Sequence, residues 1–332
     1  MDSFAARFYL GSEARHAGKS IKGTHMAIDT RPGGPAETLT PRREGAAGER
    51  VLRIGQRATL HAINLYNPSH MEWTRDGRLL VCEHTAGRIV DITTGGDMKH
   101  SEPFAFRLEG PAAIVPQDDR ILVSESWSGK VTALPLEGGD ATRAQAYAEG
   151  LRHPYGLSQD REGRLFVSEK VDGFRSQVTE ISDGLDGKRR TFVANIPTQP
   201  APPGRTPLGD YPVDEWDRYS AGGCSDSWPD FSGPDRMLTV GELGIIVRLL
   251  PDGGDLLGML ERHASEVVVA WGLGRTAGMK YNPADGTYYV AQPQQGSVLA
   301  IDPDAPANYV LTPPVVRGLN QPSCVRFSPR RH

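Results

Sequence analysis

The 332-residue sequence is poor in cysteine, and its three cysteines are Cys82, Cys224 and Cys324. Their number is odd and no two stand in C-x-x-C spacing, which excludes a disulfide framework or a structural zinc site as the basis of the fold. We expect three reduced, mostly buried thiols.

Long apolar runs and an excess of one charge are also missing. No stretch of 18 uninterrupted apolar residues occurs, and the first residues, MDSFAARFYLGSEARHAGKS, lack the apolar segment of a signal peptide. The net charge of −4 gives no electrostatic reason to expect nucleic acid or a membrane as partner. These absences predict a cytoplasmic protein with a small-molecule substrate, and they leave the oligomeric state open.

The sequence lacks the fingerprints of several enzyme classes: no serine elbow, P-loop or dinucleotide motif is present. GLGRTAG, near Gly272, is rich in glycine but follows no βαβ pattern. No local motif therefore identifies a reaction.

Glycine and proline, in contrast, are abundant, with 38 and 26 residues, as is typical of short strands joined by tight turns. Pro68, Pro111 and Pro154 each open a strand and stand 43 residues apart. Weaker copies of the same pattern begin near Cys224 and Ala277, and a partial copy begins at Pro322. A repeat of this period with four short strands predicts an all-β, six-bladed β-propeller that forms a single domain over residues 1–332.

The last copy is too short for a whole blade because the chain ends at His332. The N-terminus supplies matching pieces: Phe8 to Leu10 as a second strand, a third strand near Ile21, and the segment from Arg57 to Leu65 as the outer strand. We therefore predict that N-terminal strands join the C-terminal first strand and close the ring, which removes open sheet edges.

One insertion interrupts the pattern between the third and fourth copies. Residues 197–220 are rich in proline and contain three aromatic residues, Tyr211, Trp216 and Tyr219. A long loop in a compact domain is often functional, which suggests a lid over the channel mouth. The alternative is a surface loop packed on its own blade.

In a propeller, the loop entering the first strand and the turn after the second strand lie on one face, around the channel mouth. Most residues that the repeats place at the start of the first strand are small, which favours a cavity. Larger polar side chains there are candidates for catalysis or for binding a polar ligand. As catalytic candidates we single out His153, Tyr155, His70 and Asp226, and as substrate-binding candidates Arg275 and Ser69.

A glutamate ends the second strand in most copies: Glu13, Glu83, Glu125, Glu169 and Glu242, with Gln292 in the remaining one. A ring of carboxylates could bind a cation or an amine, or share protons. A glutamate needed by every blade could instead accept hydrogen bonds from the amides of the adjacent turn. We count Glu83, Glu125 and Glu169 among the substrate-binding candidates while keeping the structural alternative.

The histidines allow two interpretations in the same way. His70 and His153 are candidate general bases, although a histidine at a strand start is often a hydrogen-bonded structural residue. His84, the residue after Glu83, and Trp127, two residues after Glu125, are expected to line the same mouth. Trp73 and Trp228 lie mid-strand and are expected to pack between blades.

The first repeat, NPSHMEWTRDGRLLVCEHTAGRIVDITTG, resembles the opening blade of the gluconolactonase (senescence marker protein) family. LRHPYGLSQDREGRLFVSE is similar to that family and to NHL-repeat propellers. The resemblance implies a six-bladed fold and, for lactonases, a divalent metal held by an early glutamate and by Asn or Asp residues at first-strand starts. The chain is also similar to strictosidine synthase, another six-bladed propeller, and this resemblance implies metal-free chemistry with one channel glutamate.

At the positions where the resemblance implies metal ligands, this chain has Ser69, Ala112, Tyr155, and Ser225 or Asp226. Only Asp226 suits a hard cation, and one carboxylate is far short of a calcium cage. We therefore expect no metal cofactor, although a divalent ion stays possible.

Together these features predict a small-molecule enzyme with metal-independent acid–base chemistry at the channel mouth. The reaction would be hydrolysis of a lactone-type ester, or a cyclisation or isomerisation that needs proton transfers alone. The alternative is a non-catalytic ligand-binding or scaffold propeller, because a fold does not fix a function.

Overall fold

The structure is a computed structural model, and the residues it describes are 6–10, 28–29, 59–172, 175–185, 187–198 and 227–328. They are predominantly β-strand, and one α-helix, Leu256–Val267, lies among them. No helix within these ranges has the length and apolar character needed to cross a membrane.

Five sheets form successive propeller blades, each built from four antiparallel strands, and in blades 1, 2, 4 and 5 a two-residue strand lies between the third and fourth of them in the chain. Blade 1 consists of Pro68–Trp73, Leu79–Glu83, Arg88–Asp91 and Ala105–Phe106. Blade 2 consists of Pro111–Pro116, Ile121–Glu125, Lys130–Leu134 and Gln145–Ala148. Blade 3 consists of Leu157–Gln159, Leu165–Lys170, Arg175–Glu180 and Arg190–Pro197. Blade 4 consists of Ser227–Asp230, Met237–Val240, Ile245–Arg248 and Val268–Trp271. Blade 5 consists of Met279–Asn282, Thr287–Gln292, Ser297–Ile301 and Val316–Arg317.

The predicted all-β propeller is therefore confirmed, but the described residues form five blades where the sequence predicts six. A further sheet pairs the two ends of the chain, with strands Pro322–Phe327, Ala6–Leu10, Ile28–Asp29 and Thr59–Leu60 in spatial order. Most of the chain between its N-terminal strands lies outside the described residues. A sixth blade and closure of the ring thus stay predictions.

The hydrophobic core lies in layers between adjacent blades. The second strands of blades 1 and 2 are buried at every position, which explains their continuous apolar runs RLLVC and RILV. One core cluster joins Leu80 and Ile89 of blade 1 to Ile114 and Ile121 of blade 2. The predicted burial of cysteine holds for Cys82 and Cys324, and burial raises the pKa of both thiols. Cys224 lies outside the described residues.

A short motif, Gly-Gly-Asp, connects neighbouring blades and was not identified from the sequence. It occurs at 95–97, 138–140 and 253–255, between the third and fourth strands. In the second copy, Gly139–Asp140 pairs in parallel with the outer strand of blade 1. Gly138 has a φ of +80°, and a side chain there would overlap the carbonyl oxygen of Phe104. The motif therefore holds blade 2 against blade 1, and its third copy holds blade 4 against blade 3, through backbone contact.

The aspartate of this motif also begins the next element. Asp140 accepts a hydrogen bond from the Thr142 amide at 3.1 Å at the start of a 3-10 turn, Ala141–Arg143. Asp255 caps the α-helix through the Gly258 amide in the same way, at 3.4 Å. The helix buries an apolar face between blades 3 and 4.

Candidate functional site

The loop entering the first strand and the turn after the second strand meet on one face in blades 1 to 3. The contact is a backbone hydrogen bond from the residue that follows the second-strand glutamate. The three donor and acceptor pairs are His84 with Asn67 at 3.1 Å, Ser126 with Gly110 at 2.9 Å, and Lys170 with Arg152 at 2.8 Å. The two predicted sets of residues therefore share one face, which we call the mouth face.

The three glutamates accept hydrogen bonds from the loop that enters their own blade. Glu83 and Glu125 are fully buried and Glu169 is 6% exposed. Their carboxylates accept the backbone N–H groups of Tyr66, Glu109 and Arg152, at 2.6, 2.5 and 2.8 Å. The structural alternative expected these amides to come from the turn after the second strand. They come instead from the loop that enters the first strand.

The same carboxylates also contact the third strand of their blade. The partners are Arg88 for Glu83, Thr132 for Glu125, and Gln177 and Thr179 for Glu169. With both oxygens engaged inside the blade, these glutamates fix the turn after the second strand. This favours the structural interpretation over a carboxylate ring that binds substrate.

The residues directly after the glutamates lie at the mouth face, and two of them touch across the gap between blades. The Nε2 atom of His84 and the Oγ atom of Ser126 are 2.8 Å apart, and both side chains are buried. They occupy equivalent positions in blades 1 and 2. His84 is one of the predicted site residues, whereas Ser126 is not.

Gly110 allows Ser126 to approach its own strand-entry loop. A Cβ atom at this position would lie 2.8 Å from both Ser126 Oγ and the Trp127 ring. The Ser126 hydroxyl is also 3.1 Å from the carbonyl oxygen of Gly110. The single hydroxyl hydrogen can therefore go to the carbonyl oxygen or, in the tautomer that leaves Nε2 unprotonated, to the imidazole nitrogen.

Burial lowers the pKa of His84 to about 4, so that its imidazole is neutral at physiological pH. The edge of the ring meets Trp127 at a centroid distance of 5.0 Å, and Tyr155 lies 6.4 Å away. Trp127 is 55% exposed, so that its ring lies on the solvent side of the buried His84 ring.

A cavity of about 460 Å³ adjoins the pair, between blades 2 and 3. Its walls come from the turn after the second strand of each blade and from the loop entering blade 3. Ser126, Trp127, Arg152, His153 and Lys170 are among the lining residues. Aromatic, cationic and acidic side chains, the last from Asp172, therefore line an open depression whose volume would admit a small molecule.

His70, the second predicted base, is fully buried between other side chains. Its ring stacks on Trp228, with centroids 5.3 Å apart and planes at 6°, and its Nδ1 accepts the Ile114 amide at 3.3 Å. Its Nε2 contacts the guanidinium of Arg326. Burial, followed by the charges of Arg326 and Lys280, holds the pKa of His70 well below its usual value. This geometry suits a structural histidine better than a general base.

Arg326 belongs to a buried charged group that the sequence analysis also missed. Its Nε donates to Glu72 Oε2 at 2.6 Å, and its side chain is 7% exposed. Lys280 and Asp230 approach to 3.9 Å on neighbouring blades. Glu72 and Arg326 both stand four residues after a strand-opening proline, which is the repeat signal that could have identified them.

His153 takes an unusual backbone conformation that is shared by its counterparts. Its φ is +45°, and the residues before the strand-opening prolines Pro68, Pro111 and Pro322 have φ values of +45°, +69° and +49°. Pro154 does not open a strand as predicted, because the first strand of blade 3 begins at Leu157. A conformation repeated in four places serves the entry into each strand. The exposed His153 side chain still lines the cavity.

The remaining predicted site residues are distributed over several blades. Tyr155 packs edge-on against Trp228, at 5.2 Å between centroids. The Ser69 hydroxyl donates to the Pro111 carbonyl oxygen at 3.1 Å and so links blades 1 and 2. Arg275 pairs with Glu242 at 3.5 Å. Asp226, Glu13 and the insertion beyond residue 198 lie outside the described residues.

The donors at the implied metal positions do not fit a divalent ion. Ala112 offers no side-chain ligand, and the Ser69 hydroxyl is directed to a backbone carbonyl. Within the part of the chain that the structure describes, no three His, Cys, Asp or Glu side chains are grouped as a metal site requires. We therefore derive no catalytic step through a metal.

Because His70 and His84 are buried, we expect the protein to lose stability in mild acid. Both pKa values are lowered by burial from an unfolded value of 6.5, so below pH 6.5 the unfolded chain binds protons that the folded chain does not. For His84, whose pKa burial lowers to about 4, lowering the pH from 7 to 5 is expected to remove about 2 kcal/mol from the free energy of unfolding, and His70 should add to this loss. Urea unfolding at both pH values would measure this. His84→Gln should reduce the pH dependence, and an unchanged slope would contradict the assignment.

The chain matches no protein-family model and none of the curated proteins. Among solved structures, one from a nidogen–laminin complex aligns over 98% of this chain and 98% of its own, with a TM-score of 0.59 and 12% identity. A luciferin-regenerating enzyme aligns over 79% of this chain and 80% of its own, with a TM-score of 0.53 and 12% identity. Likenesses at such identities concern the fold alone, and on that evidence the chain is an all-β propeller.

Proposed function

We propose that the protein is a small-molecule enzyme that hydrolyses a lactone-type ester at the mouth face by metal-independent acid–base chemistry. The observation that carries this proposal is the 2.8 Å contact between His84 Nε2 and Ser126 Oγ at the edge of the cavity. A neutral imidazole in contact with a hydroxyl is the arrangement that proton transfer from an oxygen nucleophile needs.

The surroundings of the pair support a substrate site. Trp127 offers an exposed aromatic wall, and Arg152, His153 and Lys170 bring polar heads to the same cavity. Such a combination of an apolar wall with a few polar groups is typical of small-molecule sites. We assign the base to His84 and not to His70, whose two ring nitrogens face the Ile114 amide and Arg326.

We also propose that the ring is closed as a six-bladed propeller. The strand Pro322–Phe327 runs antiparallel to Ala6–Leu10, with Phe8 opposite Val325, and Ile28–Asp29 and Thr59–Leu60 extend this sheet outward. Four strands are the complement of one blade. Closure would place the C-terminal Arg326 beside blade 1, where it meets Glu72.

The test of the enzymatic proposal is a hydrolysis assay with a panel of five- and six-membered lactones and aryl esters, with and without EDTA. We expect turnover of at least one substrate class that is insensitive to the chelator. Loss of turnover with EDTA and recovery with a divalent ion would overturn the metal-independent mechanism. Ligand binding without turnover would favour the non-catalytic alternative, which the fold also permits, since one of the aligned propellers comes from a protein–protein complex.

A further inference from the structure

We propose that Ser126 is the nucleophile of this site and forms a covalent acyl-enzyme, with His84 as its base. This inference rests on the proposed hydrolytic function and goes further, because acid–base hydrolysis could equally activate a water molecule. The geometry points to the hydroxyl because it is the group that His84 Nε2 contacts, at 2.8 Å.

The position of Ser126 is fixed from both sides along the chain. The preceding residue, Glu125, is anchored through its carboxylate to the Glu109 amide and to Thr132. The Ser126 amide itself donates to Gly110 at 2.9 Å. A nucleophile held by buried hydrogen bonds loses little conformational freedom when it reacts, which lowers the activation barrier.

His84 is held in a corresponding way by blade 1. Its amide donates to the Asn67 carbonyl oxygen at 3.1 Å. Its ring lies against Trp127 and near Tyr155, with centroid distances of 5.0 and 6.4 Å. The two side chains therefore meet because blades 1 and 2 present equivalent positions to each other. The interaction joins residues 42 positions apart and does not belong to the hydrogen bonding of either sheet.

The reaction can be written with its atoms and electrons balanced. Ser126 Oγ attacks the ester carbonyl carbon while its proton passes to His84 Nε2, and collapse of the tetrahedral intermediate breaks the acyl C–O bond. The leaving alkoxide takes the proton from His84, which for a lactone opens the ring. Water then attacks the acyl-enzyme, gives its proton to His84, and the carboxylic acid leaves as Ser126 regains a hydrogen.

Two cationic side chains line the cavity that Ser126 also lines, together with the carboxylate of Asp172. Lys170, at the equivalent position of blade 3, lines the same cavity as Ser126, and Arg152 lies on its wall. Positive charge near the oxyanion stabilises the transition state more than the ground state. Of the residues that follow the glutamates, His84 and Ser126 thus supply a base and a nucleophile in contact with each other, and Lys170 supplies a cation to the cavity that Ser126 lines.

The experiment uses the full-length protein, an ester substrate from the hydrolysis panel, and a fluorophosphonate probe. We expect the probe to add to the wild-type protein and to map by peptide mass spectrometry to Ser126. Ser126→Ala should abolish labelling and lower kcat by about 1,000-fold or more. His84→Gln should slow labelling by about 100-fold.

The matched serine control is Ser101→Ala, in the loop between the third and fourth strands of blade 1, and it should label and turn over like the wild type. Thermal unfolding of each variant shows whether it is folded. Hydrolysis that persists in a folded Ser126→Ala variant, or labelling at another residue, would overturn the nucleophile while leaving the hydrolase proposal intact. Absence of both hydrolysis and labelling in the wild type would overturn both.

Discussion

Replacing His84 by glutamine is expected to lower kcat/KM for the hydrolysed ester by about 100- to 10,000-fold, the range for loss of a general base. In the wild type, the imidazole lies 2.8 Å from Ser126 Oγ. Glutamine keeps a polar group near that oxygen, but its amide cannot take up the proton. Because burial lowers the pKa of His84 to about 4, wild-type kcat/KM should rise between pH 3 and 5 and stay level above that range, provided the protein is folded there. The pH profile of kcat/KM in the wild type and the variant measures both effects.

The control for this prediction is His263→Gln, on the surface of the α-helix, where the side chain is 52% exposed. It should retain wild-type kcat/KM. If a folded His84→Gln variant keeps full activity, the base lies elsewhere, and the earlier candidates His153 and Tyr155 are the next to replace.

The second large effect is expected at the buried charge pair. Replacing Glu72 by alanine is expected to lower the free energy of unfolding by about 3–5 kcal/mol, because it leaves the Arg326 guanidinium buried without its main counter-charge. Glu72 Oε2 lies 2.6 Å from Arg326 Nε, and the arginine side chain is 7% exposed. The midpoint of urea unfolding at pH 7.5 measures the change.

Two further variants make this prediction specific. Replacing both Glu72 and Arg326 by methionine should cost much less than Glu72→Ala, because the pair is then removed without leaving a lone charge. Asp119→Ala breaks a surface pair with Arg120 whose side chains are 63% and 41% exposed, and it should change the free energy of unfolding little. Equal losses for Glu72→Ala and Asp119→Ala would show that the buried pair has no special role.

The strands and their repetition were predictable because they depend on local patterns. Short apolar runs such as RLLVC, followed by a turn and opened by a proline, predict the strands of blades 1 to 3. The weaker copies near Cys224 and Ala277 correspond to blades 4 and 5. The α-helix Leu256–Val267 was missed because it interrupts a blade between its third and fourth strands, where the repeat gave no reason to expect one.

The site was predictable in part. Comparing equivalent positions identified the mouth face and named His84, Trp127 and Tyr155, and the ring of His84 lies against the other two there. Ser126 was overlooked because serine is common in turns and carries no signal by itself. Comparing the residue after each glutamate across blades would have shown histidine, serine and lysine in a row.

The sequence by itself determined that the chain is an all-β propeller, because strand length, apolar runs and turn residues are properties of short segments. Only the tertiary structure decided which side chains meet between blades. Glu72 and Arg326 are 254 residues apart, and His84 and Ser126 lie on different sheets. Such contacts depend on the angle and spacing at which blades pack, and these are set by side-chain volumes across the whole interface rather than by any local pattern.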